Sequence, residues 1–384
     1  MKNILRLSGV LLLIAFESAL AQEMPFVALG DESPIGVAGL SETEYRLTTA
    51  SGQSVGLHRF RDTRMAPRAV VLYLPGTNMN GTLKSRDERE NLWLYLAGRG
   101  VPVFTLDYRT RFVPHDYPGE LTFMLDWTVE QFVADALLAA TQVRQMLPDT
   151  PLFVAGFSRG ALYAYALAGQ IELDGLIALD GSFKSIPYEP FDMAAAMARF
   201  DQAGKAAIPL SRRGYERREL MMRTALENPT GPASDERFAT AAEQLSAVLY
   251  NAWGPGVLSN TRGEISSLET LVREMLAYDW FFPAVQNVEG QSIRVQENDP
   301  MTRIDDHFGS VDIPVLYFGS SRMGPGALIA GIHSASALGK GEAEIHVLED
   351  YGHLDVLFSR RAVTDVFQVI DRWLTAHSNR TGSE

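Results

Sequence analysis

Cysteine is absent from the 384-residue sequence. The chain can therefore form no disulfide bond, and it offers no thiolate ligand to a metal ion. Basic residues are outnumbered, because 34 Lys and Arg residues stand against 47 Asp and Glu residues and give a net charge of −13. An acidic surface repels the phosphates of nucleic acids, so the composition argues against a nucleic-acid partner.

Long hydrophobic runs are absent as well. The apolar run near the start of the chain covers residues 7–16 and is well short of the ~20 residues that span a bilayer. No later segment is typical of a membrane helix, so we predict no stable membrane insertion. With 46% hydrophobic and 21% charged residues, the composition is typical of a soluble globular protein with a large core.

The first 21 residues have the pattern of a secretory signal peptide. Lys2 and Arg6 precede the apolar run, and the segment ends in the small residues Ala19-Leu20-Ala21. We expect cleavage near Ala21 and export to a periplasm or to the outside of the cell. No cysteine follows the cleavage site, which argues against a lipid-anchored protein.

Strand and helix patterns alternate along most of the chain. The strand patterns lie at residues 43–49, 53–60, 69–74, 101–106, 152–155, 175–179, 315–318 and 343–348. Helical patterns lie at residues 84–97, 127–147, 159–168, 327–338 and 365–376. The first two strands form a hairpin, and the other six alternate with helices. This order predicts an α/β fold with a mostly parallel eight-stranded sheet and helices on both faces.

The alternation stops after the sixth strand and resumes only before the seventh. The intervening segment is rich in Ala, Met and aromatic residues and carries helical patterns. We predict a core formed by residues 22–182 and 306–378, with a helical cap or lid inserted at 183–305. Residues 379–384 are predicted to be a disordered tail.

The sequence Gly156-Phe157-Ser158-Arg159-Gly160 joins the fifth strand to a helix. A serine on such a sharp strand-to-helix turn is raised above the carboxyl edge of the sheet, and the start of the helix directs amides towards it. The two glycines allow neighbouring backbone to approach closely. We therefore predict that Ser158 is a nucleophile; the alternative is a serine that only caps the helix.

A serine hydroxyl needs a base to remove its proton, and seven histidines are available. His58 and His346 lie within strands, His333 lies within a helix, and His115, His307 and His377 lie in loops or near the end of the chain. His353 lies between the last strand and the last helix. That position is at the same edge of the sheet as Ser158, so we predict that His353 is the base.

The third group should be a carboxylate that orients the imidazole. No acid follows the strand that ends at Phe318, which is the usual position. Asp180 ends the preceding strand at the same edge and keeps the chain order Ser, Asp, His, so we predict that it is the acid. Asp355, two residues after His353, is the alternative.

Two backbone amides are expected to stabilise the oxyanion of an acyl-transfer reaction. One belongs to Arg159, which directly follows the candidate nucleophile. The other is expected in the loop Leu74–Gly81, on Thr77 or Asn78. This loop lacks the lysine of a phosphate-binding loop, because position 82 is Thr. We predict no nucleotide, metal or other cofactor.

These motifs resemble those of the α/β-hydrolase superfamily. The resemblance rests on "GFSRG", on "PGTN" after the third strand and on "YGHLDVLF" near the end of the chain, and it covers nearly the whole chain apart from the insertion. It implies a secreted lipase-like or esterase-like enzyme with Ser158 as nucleophile, His353 as base and the insertion as a lid. A serine at position 158 argues against epoxide hydrolases and haloalkane dehalogenases, which attack with aspartate.

The function predicted from these residues is hydrolysis of a small-molecule carboxylic ester through an acyl-enzyme. Six apolar side chains of the insertion are candidates for the lining of a pocket and give a modest preference for a fairly hydrophobic substrate: Met221, Met222, Trp253, Trp280, Phe281 and Phe282. The alternative, expected for most of them, is that they pack a small core of the insertion itself. Two alternatives remain. One is an aminopeptidase or amidase, for which the insertion offers Glu264, Glu269 and Glu274; the other is a catalytically silent binding protein. The oligomeric state is left open.

Overall fold

The computed structural model describes residues 26–37, 39–202, 220–225, 227–249, 266 and 268–378. The predicted signal peptide, residues 1–21, and the predicted tail, residues 379–384, lie outside these ranges. So does part of the predicted cap. Among the described residues, no helix is long and apolar enough to cross a membrane.

The centre of the described chain is a twisted sheet. Its strands are β1 (Val27–Ala28), β2 (Ser33–Pro34), β3 (Leu40–Thr48), β4 (Ser54–Asp62), β5 (Val70–Leu74), β6 (Val103–Asp107), β7 (Leu152–Phe157), β8 (Gly175–Leu179), β9 (Val315–Ser320) and β10 (Ala343–Leu348). The order across the sheet is β1-β3-β4-β6-β5-β7-β8-β9-β10, with β2 paired to β3. The six neighbouring strands β6, β5, β7, β8, β9 and β10 are parallel to one another, and the remaining pairings are antiparallel.

The sheet has ten strands rather than the predicted eight. All eight predicted strands are present as β3 to β10, and the hairpin of β3 and β4 precedes the parallel part as expected. The two additional strands, β1 and β2, are only two residues long and are exposed. Such short strands carry no alternation of apolar and polar residues, so the sequence gives no signal for them.

Helices cover both faces of the sheet, as predicted. They are α1 (Leu92–Ala97), α2 (Val129–Met146), α3 (Arg159–Leu167), α4 (Met193–Gln202), α5 (Ala241–Leu249), α6 (Leu268–Met275), α7 (Val285–Val295), α8 (Pro325–Ala337), α9 (Asp355–Phe358) and α10 (Gln368–Ser378). Residues 220–225 are also helical. Helix α1 begins later than predicted, because the side chain of Asn91 accepts the amides of Trp93 and Leu94 and caps the helix there.

The parallel strands are buried on both faces. In β5, Val71 and Tyr73 pack into the core beneath α1 and α10, while Val70, Leu72 and Leu74 pack into the core beneath α2 and α3. Because both faces are covered, both sets of alternating side chains must be apolar. This is why the sequence shows continuous apolar runs here.

The segment between β8 and β9 contains helices α4 to α7. Near its two ends, the fully buried ammonium of Lys184 and carboxylate of Asp305 form an ion pair. Lys184 Nζ also donates to the carbonyls of Ile293 and Gln296, at 2.8 and 3.0 Å. These bonds fix the C-terminal end of α7 to the chain that leaves β8.

Candidate active site

Ser158 lies on the turn between β7 and α3. Its φ of 55° and ψ of −118° are unusual for a residue other than glycine, and such backbone persists only where the surroundings impose it. A Cβ on Gly156 would overlap the carbonyl of Gly160, and a Cβ on Gly160 would overlap the carbonyl of Leu74. Only glycine fits at these two positions. The side chain of Ser158 makes no capping bond to α3, so the structure does not favour the capping alternative.

His353 lies in the loop between β10 and α9, at the same sheet edge as Ser158. Its Nε2 is 2.8 Å from Ser158 Oγ. The imidazole ring stacks on the ring of Phe157, with 4.7 Å between the ring centroids. The stacking limits rotation of the imidazole and keeps Nε2 directed at the hydroxyl.

Asp180 immediately follows β8 and approaches the other nitrogen of the imidazole. Its Oδ2 is 2.7 Å from His353 Nδ1. Its Oδ1 accepts the backbone amide of Ser320 at 2.9 Å. With Asp180 ionised, Nδ1 of His353 donates to it and Nε2 accepts the proton of the Ser158 hydroxyl. The structure therefore brings the three predicted side chains into one hydrogen-bonded chain.

Asp355, the alternative acid, forms no hydrogen bond to His353 in the described chain. Its carboxylate accepts the amide of Gly352 at 2.7 Å and the hydroxyl of Ser266 at 2.5 Å. Burial raises the pKa of Asp355 to about 6 despite these bonds. The carboxylate of Asp355 therefore stabilises the turn that carries His353, and the imidazole is bonded by Asp180 instead.

The two predicted oxyanion donors line the same cavity as Ser158. Thr77 and Arg159 both border it, and neither backbone amide donates a hydrogen bond to another described group. A Cβ on Gly76 would lie 3.1 Å from the Cβ of Ser158, so the loop passes very close to the serine. Asn78, the other candidate, is buried and does not border the cavity, and its side chain donates to the carbonyl of Asp279 at 3.0 Å.

A buried charged group supports this loop from behind. The amide of Gly81 donates to Asp107 Oδ1 at 2.6 Å, and Asp107 Oδ2 lies 3.0 Å from His58 Nε2. His58 Nδ1 lies 2.9 Å from Glu42. Burial alone would lower the pKa of His58, but the hydrogen bonds to Asp107 and Glu42 outweigh it and raise the pKa to about 9. His58 is thus a charged structural residue.

None of the other histidines contacts Ser158. His346 lies against Glu344, His333 against the hydroxyl of Tyr188, His307 against the carbonyl of Tyr165, His377 against the carbonyl of Trp373, and His115 stacks on Trp280. None of these partners is Ser158, Asp180 or His353. His353 alone among the seven has the required geometry.

The cavity above Ser158 has a volume of about 550 Å³. Its wall on the side of the insertion is formed by α7, which contributes Asn287, Gln291 and Arg294. These residues could not be identified from the sequence, because the contact between α7 and the turn at Ser158 depends on how the insertion packs. The wall is therefore more polar than predicted.

The described aromatic and methionine side chains that were candidates for the pocket lie elsewhere. Met222, Phe281 and Phe282 are buried in the core, and Met221 packs against it. Trp280 lines a separate cavity of about 480 Å³. Trp253 lies outside the described residues. None of the five described side chains borders the cavity above Ser158. Four of them pack in the hydrophobic cores, so the packing role expected for most of these residues describes them better than a pocket role.

The glutamates considered for an aminopeptidase give no support to that function. Glu274 accepts the amides of Lys84 and Ser85 at 2.7 and 2.8 Å, and burial raises its pKa. It is therefore occupied with structural bonds and lies away from the cavity. Glu264 lies outside the described residues, as does the side chain of Glu269. Within the described ranges, no group of three or more acidic or histidine side chains could hold a metal ion.

Comparison with known proteins gives matches to structures only. No protein-family model matches the sequence, and no curated protein sequence is significantly similar to it. A candidate lipase from Sulfolobus solfataricus is 23% identical, with a TM-score of 0.70 over 91% of this chain and 99% of its own. A thermostable carboxyl esterase from Bacillus coagulans, solved with glycerol, is 14% identical, with a TM-score of 0.51 over 92% of this chain and 99% of its own.

A lipase in an open form is 15% identical, with a TM-score of 0.51 over 88% of this chain and 99% of its own. At such identities these matches concern architecture rather than activity. The chain therefore has the α/β-hydrolase fold, as the sequence motifs predicted.

Proposed function

We propose that the protein is a serine hydrolase that cleaves carboxylic esters. The observation that carries this proposal is the chain of hydrogen bonds from Asp180 through His353 to Ser158, with distances of 2.7 and 2.8 Å. Two of the matched structures are named as a carboxyl esterase and a lipase, which supports the choice of an ester bond.

In the proposed first half-reaction, Ser158 Oγ attacks the ester carbonyl while His353 Nε2 takes its proton. The negative charge that develops on the carbonyl oxygen is stabilised by the amides of Thr77 and Arg159. His353 then gives its proton to the alkoxide of the leaving alcohol as the C–O bond breaks. The product of this step is an acyl-enzyme on Ser158.

In the second half-reaction, water replaces the alcohol. His353 removes a proton from the water as its oxygen attacks the acyl carbonyl, and the proton is returned to Ser158 Oγ as the acid leaves. Asp180 keeps the imidazole in the required tautomer and stabilises its charged form in both halves. One ester and one water give one carboxylic acid and one alcohol.

The chain length of the acyl group is tested with nitrophenyl esters. Each buried methylene contributes about 0.8 kcal/mol of binding only where the pocket wall is apolar. Since α7 presents polar side chains to the cavity, we propose a preference for short acyl groups. If kcat/KM rose from nitrophenyl butyrate to nitrophenyl laurate, the result would contradict this preference and support the hydrophobic substrate predicted from the sequence.

A fluorophosphonate probe tests the nucleophile. We expect it to label the wild-type protein and not Ser158→Ala. Ser182 borders the same cavity and forms no hydrogen bond to His353 in the described chain, so Ser182→Ala is the matched control and should be labelled like the wild type. Equal labelling of the wild type and Ser158→Ala would overturn the proposal.

We also propose that the protein is exported and loses residues 1–21. The support is the basic start, the short apolar run and the small residues around Ala21. Fractionation of cells that express the full chain, followed by determination of the N-terminus, tests this. Uncleaved protein in the cytoplasm would contradict it.

A further inference from the structure

Two arginines border the cavity that contains Ser158. Arg159 is the first residue of α3 and directly follows the serine, while Arg294 lies near the C-terminal end of α7. The core and the insertion therefore each contribute one arginine to the wall of the same cavity. This pairing of cations is unexpected in a protein whose net charge is −13.

The position of Arg159 is built into α7. A Cβ on Gly290 would overlap the guanidinium of Arg159, so the guanidinium lies directly against the helix where it has no side chain. Arg159 Nη2 also lies 3.4 Å from Asn287 Oδ1, one turn earlier on α7. The guanidinium is thus held at the cavity wall by the helix that also carries Arg294.

Neither arginine has an ion-pair partner among the described residues. The nearby Glu289 accepts the amide of Val129 at 2.9 Å and forms no ion pair with either arginine in the described chain. Burial raises its pKa, against the opposing charge of Arg159. Asp180 is also engaged, since its two oxygens face His353 and the amide of Ser320. Desolvation and then the charge of Arg159 lower the pKa of Arg294, although Arg294 is exposed to solvent. The two cations are therefore close enough to repel each other.

Like charges in one cavity are unfavourable unless an anion lies between them. A guanidinium presents several N–H donors in a plane and matches the two oxygens of a carboxylate, with bonds stronger than neutral ones. The binding of such an anion would place the rest of the ligand over Ser158, because the arginines and the serine border one cavity.

We propose that the substrate is an ester that also carries a carboxylate, which binds to Arg159 and Arg294. The proposal rests on the ester hydrolysis proposed above and adds the charge of the substrate. The carboxylate belongs to the acyl part or to the alcohol part, and the two cases are separated by experiment.

Two matched pairs of substrates test the proposal. Monomethyl glutarate carries a carboxylate on the acyl side of the ester, which dimethyl glutarate lacks. 4-(Butyryloxy)benzoate carries a carboxylate on the alcohol side, which its methyl ester lacks. We expect the wild type to favour the anionic member of at least one pair by about tenfold or more in kcat/KM, as for one charged hydrogen bond. The preference should decline at high salt.

Substitution of Arg294 is the decisive variant. We expect Arg294→Met to reduce the anionic-to-neutral ratio of kcat/KM by about 10- to 100-fold, and Arg294→Lys to give an intermediate ratio. Arg372 on α10 is exposed and does not border the cavity, so Arg372→Met removes the same charge and should keep the wild-type ratio. Gly290→Ala, which displaces Arg159, should reduce the ratio independently.

A binding measurement separates failure of this proposal from failure of the proposed hydrolysis. We expect Ser158→Ala to bind monomethyl glutarate or 4-(butyryloxy)benzoate more tightly than the neutral partner by calorimetry, and Arg294→Met in that background to abolish the difference. Equal binding and equal hydrolysis of both members of each pair would overturn the carboxylate site, even with Ser158 labelled. Selective binding without any hydrolysis would support the site and reject the hydrolase.

Discussion

The buried ion pair between Lys184 and Asp305 offers a sharp test of how the insertion is held. Both side chains are fully buried. Asp305→Asn removes the negative charge and leaves the ammonium with only two carbonyls and a neutral amide. Breaking a buried ion pair on one side costs about 3 to 5 kcal/mol, because the remaining charge stays buried without compensation.

The expected shift in melting temperature follows from the size of the chain. At about 2.1 cal/mol/K per residue, the unfolding entropy of 384 residues is about 0.8 kcal/mol/K. A loss of about 3 to 5 kcal/mol therefore lowers the Tm by about 4 to 6 °C. Differential scanning calorimetry measures this shift directly.

An exposed pair supplies the control. Asp235 and Arg237 form an ion pair on the surface, and surface pairs contribute about 0 to 1 kcal/mol, so Asp235→Asn should lower the Tm by about 1 °C or less. The double variant Lys184→Met/Asp305→Leu should recover most of the loss, because it removes both charges. If Asp305→Asn had the same Tm as Asp235→Asn, the buried ion pair would not anchor the insertion.

Three further predictions concern the loop and the triad. Asp180→Asn should lower kcat by about 10⁴-fold, because an amide favours the wrong imidazole tautomer. Asp355→Asn should lower kcat far less, because the amide oxygen of Asn still accepts a hydrogen bond in the turn beside His353; equal losses of kcat in the two variants would show that the acid is assigned wrongly. Gly76→Ala should slow fluorophosphonate labelling without unfolding the protein, because its Cβ would lie 3.1 Å from the Cβ of Ser158 and would displace the serine by a few tenths of an ångström; an unchanged labelling rate would contradict this reasoning. The raised pKa of His58, about 9 against 6.5, should stabilise the fold by about 3 kcal/mol below pH 6.5, and this should be lost as the pH rises through 9. Melting curves from pH 6 to 10 test this, and a decline no steeper in the wild type than in His58→Gln would refute it.

The sequence predicted the parts of the site that depend on strand ends. Each parallel strand is a buried apolar run, and the carboxyl ends of such strands meet at one edge of the sheet. Ser158, Asp180 and His353 follow β7, β8 and β10, so their meeting could be deduced from the order of elements. The choice of Asp180 over Asp355 depended on that same edge.

Features that depend on packing across the fold could not be deduced. The amide of Ser320, which holds Asp180, carries no sequence signal, because every residue except proline has such an amide. Arg294 meets Arg159 only because α7 packs beside the turn at Ser158. The apolar side chains of the insertion, such as Phe281, could fill either a pocket or a core, and hydrophobicity alone does not distinguish the two.

The wall formed by α7 separates two tasks within one cavity. The side chains proposed to cleave the ester lie at the ends of strands. Asn287, Gln291 and Arg294 lie on a helix of the segment inserted between β8 and β9. Substitution of the residues of α7 that line the cavity is therefore a route to new substrate selectivity in which the reacting side chains keep their positions. Libraries for redesign should begin on this helix and leave the strand ends untouched.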